Sequence, residues 1–201
     1  MVRVFVKEIN KLTDSQKDEI LALLSPNALK RAQKKRDSEL QNASTCALSL
    51  VADKLGKQAL SSLSYEESGR PFLDSIDADI SISHSKTLVA IAISDKKSSR
   101  VGVDVEEKTF SPEEMKKIAR RFFSTDEQRI LSESQDESKT FLEIWTKKEA
   151  LKKRHESLSL ISFDTAAPLP ADTQLITRDL GHAILSLAAN ADEQVEINIV
   201  K

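Results

Sequence analysis

Val2, Val4 and Val6 alternate with Arg3, Phe5 and Lys7 in the segment VRVFVKEI, a period of two that predicts a strand with its valines on one side. Two helical patterns follow, one over Thr13 to Leu24 and one from Pro26 to about Lys57. The second is expected to break once and to stop near Gly56, whose missing Cβ suits a C-cap. ESGRPFLDSIDAD reads as turn-rich, with Gly69 and Pro71, and ISISHSKTLVAIAIS as two strands joined by a tight turn at His84 to Thr87. RVGVDVEE predicts a further strand. Helical periodicity then covers Pro112 to Phe123, Thr125 to Glu133 and Lys139 to Arg154, and strand signals return at HAILSLAA and VEINIV.

The chain thus runs twice from helices into paired strands, and SHSKTLVAIAIS faintly echoes LGHAILSLAAN. This favours an α+β fold of two similar α/β halves over one doubly wound sheet. Without a Gly/Ser/Pro-rich linker, the halves, 1–100 and 101–201, are expected to pack closely around a shared site, the second carrying the acidic motifs.

Composition narrows the function. The 201 residues can bury a substantial core, and 39% hydrophobic with 31% charged residues is ordinary globular usage. One cysteine, Cys46, permits no internal disulfide and no multi-cysteine zinc site, and three histidines leave few ligands for a structural metal cage, so a reducing cytoplasm fits. Arg3 and Lys7 interrupt any apolar leader, and no apolar run approaches a membrane span. A net charge of −2 supplies no global field for nucleic acid or anionic lipid, so an anion site has to be local. The one basic cluster is KRAQKKR, Lys30 to Arg36, which alone reads as a solvated helix face; no aromatic residue interleaves it for base stacking. Gly56, Gly69, Gly102 and Gly181 are the only glycines, which excludes a Walker loop and a dinucleotide fingerprint.

Three constellations could carry chemistry. In VGVDVEE, alternation puts Gly102, Asp104 and Glu106 on the face opposite Val101, Val103 and Val105, with apparent room beside the glycine. Two carboxylates about 4 Å apart repel by roughly 4 kcal/mol at an effective dielectric of 20. A divalent cation with a taste for oxygen, Mg²⁺ or Mn²⁺, would reverse that; the plainer reading is an edge strand with incidental acids. In FLEIWTKKEALKK, Phe141, Trp145, Glu149, Lys152 and Lys153 share one helical stripe, although Glu149 and Lys153 also suit an ordinary i,i+4 ion pair. In SISHS, no G-x-S-x-G elbow supports a hydrolase triad, which leaves His84 as a phosphate contact or a turn residue satisfied by local hydroxyls.

In this order the pieces resemble the 4′-phosphopantetheinyl transferases of the two-domain, Sfp-like kind. The resemblance spans residues 25 to 160. It rests on Gly69-Arg70-Pro71, on Ser83-His84-Ser85, on Gly102, Asp104 and Glu106, on Arg121-Phe122-Phe123 with Glu127, and on Trp145, Lys148, Glu149, Ala150 and Lys153. It implies that Asp104, Glu106 and Glu149 bind Mg²⁺ with the pyrophosphate of coenzyme A. A serine of an apo acyl or peptidyl carrier protein then attacks the β-phosphate and adenosine 3′,5′-bisphosphate leaves. Glu149 would take the serine proton, Lys148 and Lys153 would counter phosphate charge, and Arg70, His84 and Ser83 would hold coenzyme A. A second phosphate clamp would come from Lys30 to Arg36, with Arg31 and Lys34 as its candidates. LQNAST, RHESLSL and Ser81 depart from the family pattern, and none of them is a metal position.

With both halves in one chain, a monomer suffices. Two other classes compete: a catalytically weak relative that only binds coenzyme A or a carrier, and a nucleic-acid module built on Lys30 to Arg36. A Mg²⁺-dependent transfer assay separates the first, and salt-dependent oligonucleotide binding the second.

Overall fold

Strand β1, Val2–Glu8, keeps the predicted alternation, with Val2, Val4 and Val6 buried on one face and Phe5 on the other. The structure is a computed structural model that describes residues 1–34, 37–107 and 109–200. β1 pairs antiparallel with β5, Leu88–Ser94, and parallel with β9, Val195–Val200. With β4, Asp79–His84, these form a four-stranded sheet in the order β4-β5-β1-β9. A second sheet runs β6-β8-β7, from Gly102–Glu107, Ala183–Asn190 and Thr173–Asp179. Because β9 completes the first sheet, the division at residue 100 does not partition the strands.

Every described α-helix except the short one at Gln58–Ser62 begins at a capping side chain. α1, Asp14–Ala22, and α5, Pro112–Phe122, start at capping boxes on Thr13 and Ser111, and α6, Thr125–Ser132, at one on Ser124. The long pattern from Pro26 splits as expected. α2, Pro26–Gln33, carries proline in its first turn, and α3, Ser38–Leu55, is capped by Asp37 and stops at Gly56. The split falls within the basic run, of which Lys35 and Arg36 lie outside the described residues. α7, Glu137–Arg154, starts two residues earlier than its apolar pattern because the Asp136 side chain caps it.

The layers are helix, sheet, sheet, helix. Ile80, Val89, Ile91 and Ile93 of the first sheet pack under α1 to α3. Its opposite face, Val2, Val4, Val6, Ala90 and Ala92, meets Val101, Val103, Val105, Leu185 and Leu187 of the second sheet. That sheet's far face lies against α7. The echo noted in the sequence falls on β5 and β8, which are both middle strands, each covered by a long helix. Burial on both faces explains why they read as continuous apolar runs.

The pattern did not reveal α4, Gln58–Ser62, the short hairpin of β2, Leu63–Tyr65, and β3, Pro71–Leu73, or strand β7. The first three span a handful of residues each. β7 is a half-exposed edge strand without strict alternation. Among the described residues, no helix is long and apolar enough to cross a membrane.

Candidate active site

β6 and α7 build the centre of the site, and Gly102 sets their distance. A Cβ there would stand 2.0 Å from the Ala150 carbonyl oxygen and 2.7 Å from the Arg154 nitrogen, both backbone atoms that cannot move aside. The glycine therefore admits the helix, and the room expected beside it for a ligand is taken by α7. Thr146 of α7 shares a hydroxyl contact of 2.9 Å with Ser186 of β8, which fixes the helix on the sheet.

Directly along the strand, Asp104 is buried. Its Oδ1 accepts from the Ser83 hydroxyl at 2.8 Å and from Lys153 Nζ at 2.8 Å, and Lys153 also donates to the Val103 carbonyl at 3.0 Å. Oδ2 is buried and has no hydrogen-bond partner among the described residues. A buried acceptor left unmade costs about 1–3 kcal/mol, and more when charged, so such an atom asks for a ligand.

Glu106 and Glu149 flank this aspartate. Burial first, and the charge of Asp104 next, push the Glu106 carboxyl up to about 8, against the pull of Lys153 and a hydrogen bond from Trp145. The same two causes raise Glu149. Among the described residues, no three acidic, histidine or cysteine side chains stand close enough to cage a metal. Carboxylates without a cation between them repel, and here an ammonium already occupies one oxygen of Asp104. The electrostatic strain of the three acids and the orphaned Oδ2 are therefore the better measure of fit. An all-oxygen donor set of this kind suits Mg²⁺ or Mn²⁺.

Other residues proposed for the site sit elsewhere. Lys148, expected to counter phosphate charge, is fully buried on the other side of α7, where its ammonium lies 2.8 Å from Glu127 Oε2 and also donates to the Phe163 carbonyl. Glu127 further accepts from the Thr165 amide and hydroxyl at 2.7 and 2.8 Å. The R-F-F-x-x-x-E and K-E-A segments thus meet through a structural ion pair, and phosphate has no access to this lysine. Arg70, expected on a coenzyme A phosphate, is also buried: it pairs with Asp79 and donates to the carbonyls of Lys153 and, at 3.1 Å, Val101. It braces α7 against β4 and β6 rather than presenting a free guanidinium.

Two adjoining clefts run toward Lys153, the ion-pair partner of Asp104. The outer one, about 170 Å³, lies between α2, α3 and the β3 turn, and is lined by Arg31, Ser44, Tyr65 and His84. The inner one, about 260 Å³, holds Lys152, Lys153 and Glu156, and the two share Gly69, Pro71 and Ile82 along their walls. Arg31 stacks over the Tyr65 ring at 4.6 Å, and Gly69 turns beneath it with φ of +91°, a backbone state open to glycine. Lys34 is exposed at the C-terminal end of α2.

The sequence left one functional element unread. Asp79, Ser81 and Ser83 of β4 accept from the amides of Val101, Val103 and Val105 at 2.8, 3.0 and 3.4 Å, so side chains rather than backbone join the two sheets. The signal was present in the alternation of DISIS, but a strand's polar face normally reads as solvent-facing. Here it is buried, and it satisfies the free amides of an edge strand.

A buried strand carboxylate and two strained carboxyls thus meet a lysine that also lines the inner cleft. Residues 100–197, which carry β6, α7 and all three acids, match the family model of the 4′-phosphopantetheinyl transferase superfamily. That segment, just under half of the 201 residues, is similar to the transferases of this superfamily. Comparison with curated proteins gives no match.

Proposed function

We propose that the protein moves the 4′-phosphopantetheine arm of coenzyme A onto a serine of an apo acyl or peptidyl carrier protein, with Mg²⁺, releasing adenosine 3′,5′-bisphosphate. The observation that carries this reading is the gathering of Asp104, its orphaned Oδ2, the strained Glu106 and Glu149, and Lys153, which also lines the inner cleft. Asp104, Glu106 and Glu149 would hold the cation; Mn²⁺ would serve as well. When bound, it neutralises pyrophosphate charge.

The chain's own groups do the rest. Arg31 and His84 line the outer cleft and would orient coenzyme A, with Lys34 within the same basic helix end. Lys153 would turn from Asp104 to the phosphates, and Glu149 would accept the serine proton as the serine oxygen bonds to phosphorus and the bridging oxygen leaves with the nucleotide. Such transfer needs positioning and charge neutralisation more than covalent catalysis, which suits this set of side chains. All proposed residues lie in one chain, so a monomer suffices.

Intact mass measurement of an apo carrier protein incubated with coenzyme A, Mg²⁺ and this protein tests the reading, with a serine-to-alanine carrier as control. A gain of one phosphopantetheine, absent without metal and in the control, is expected. Coenzyme A binding without transfer across acyl and peptidyl carriers would instead make the protein a binding relative.

A further inference from the structure

The two oxygens of Asp104 are treated differently by the fold, and the difference originates across the sheet boundary in β4. Oδ1 carries both hydrogen bonds, from Ser83 and Lys153, while the buried Oδ2 carries none among the described residues. Lys153 is partly exposed, so its ammonium can turn out to solvent. Ser83 cannot: it is buried, and its oxygen also accepts the Val105 amide at 3.4 Å. A serine has one hydroxyl proton. In this structure that proton is committed to Asp104, which leaves none for a coenzyme A phosphate.

We propose that Ser83 is a positioning residue that pins Oδ1 of Asp104 and so turns Oδ2 toward the divalent cation. This rests on the metal reading above and assigns Ser83 a role other than the coenzyme A contact that the motif implied. The seam makes the placement rigid, because Asp79 and Ser81 hold β4 in register with β6 on the same side of Ser83. A carboxylate free to rotate would offer the cation either oxygen and would pay orientational entropy on binding. One held by a buried hydroxyl is oriented beforehand, as the outer partners of metal ligands generally do.

Ser81 provides a matched control. Its hydroxyl is buried and accepts the Val103 amide at 3.0 Å, the same kind of seam bond, but no bond joins it to Asp104. The experiment compares wild type, Ser83→Ala, Ser83→Thr and Ser81→Ala by Mn²⁺ titration followed by electron paramagnetic resonance in the presence of coenzyme A. Coenzyme A affinity without metal and thermal unfolding are measured alongside.

Ser83→Ala is expected to weaken Mn²⁺ binding by about 10- to 100-fold. Ser83→Thr should restore most of it. Ser81→Ala should lose as much thermal stability as Ser83→Ala yet bind Mn²⁺ as wild type does. Metal-free coenzyme A affinity should be equal in all four. Unchanged Mn²⁺ affinity in Ser83→Ala, with wild type binding the ion, overturns the positioning role and leaves the transfer reading standing; so does an equal loss in Ser81→Ala. Loss of metal-free coenzyme A affinity in Ser83→Ala would make Ser83 a direct ligand of coenzyme A. Absence of Mn²⁺ binding in wild type overturns both this role and the metal site itself.

Discussion

Lys153 Nζ lies 2.8 Å from Asp104 Oδ1, so the buried aspartate of β6 is partly neutralised by a lysine from the last turns of α7. The lysine side chain is 29% exposed and can be removed without leaving a sealed cavity. Lys153→Met should therefore lower transfer by about 100-fold, the usual cost of losing one charge-stabilising donor. Its unfolding midpoint should change little, because a partly exposed pair contributes little to stability. Mn²⁺ affinity should not fall, since a competing positive charge is gone. A carrier-protein mass assay and an Mn²⁺ titration on the same preparation separate these effects.

Lys148 gives the opposite expectation five residues earlier. Its ammonium and the Glu127 carboxylate are both fully buried. Lys148→Met leaves that carboxylate uncompensated and should cost about 3–5 kcal/mol in urea unfolding. At temperatures where the variant stays folded, turnover per folded molecule should approach wild type. A large loss of turnover in fully folded protein would restore Lys148 to the catalytic set.

Gly102→Ala tests the closeness of α7. The added methyl meets the Ala150 carbonyl at 2.0 Å, and neither helix nor strand can yield locally. Destabilisation of roughly 3 kcal/mol is expected. Wild-type stability by denaturant unfolding would show that α7 can lift off β6.

Much of this arrangement was legible in the chain because it depends on local period and spacing. The valine alternation of β1 and β6, the helix starts near Thr13, Pro112 and Thr125, and the i,i+4 relation of Glu149 and Lys153 are all local. What escaped is long-range. The buried seam of Asp79, Ser81 and Ser83 depends on β6 lying beside β4, and the fate of Lys148 depends on Glu127, far away in sequence. Period set Lys153 on the stripe of Glu149 and left Lys148 off it, but it could not supply the distant partner that buries Lys148. The space at Gly102 was misread for the same reason, since a missing side chain admits a ligand or a backbone equally well.

The acids also make stability depend on pH in a stated direction. Glu106 is raised by burial and by Asp104 to about 8, above its ordinary value of 4.5 in the unfolded chain. Across that interval the folded protein binds more protons than the unfolded one. The contribution to stability is therefore complete below about pH 4.5 and is lost as pH rises through 8. Glu149 is shifted the same way. Without divalent cations, the wild-type midpoint should fall between pH 6 and pH 9, and Glu106→Gln, which carries no charge, should flatten that fall. Added Mg²⁺ should raise the wild-type midpoint more at pH 9 than at pH 6, because the cation binds ionised carboxylates and has to displace their protons at the lower pH. In Glu106→Gln that gain should shrink at both values. Thermal scans of the two proteins at pH 6 and pH 9, with and without Mg²⁺, measure all of these terms. A wild-type curve that is flat over this range without metal would show that Asp104 and Glu106 do not share the field that their placement on one strand face requires.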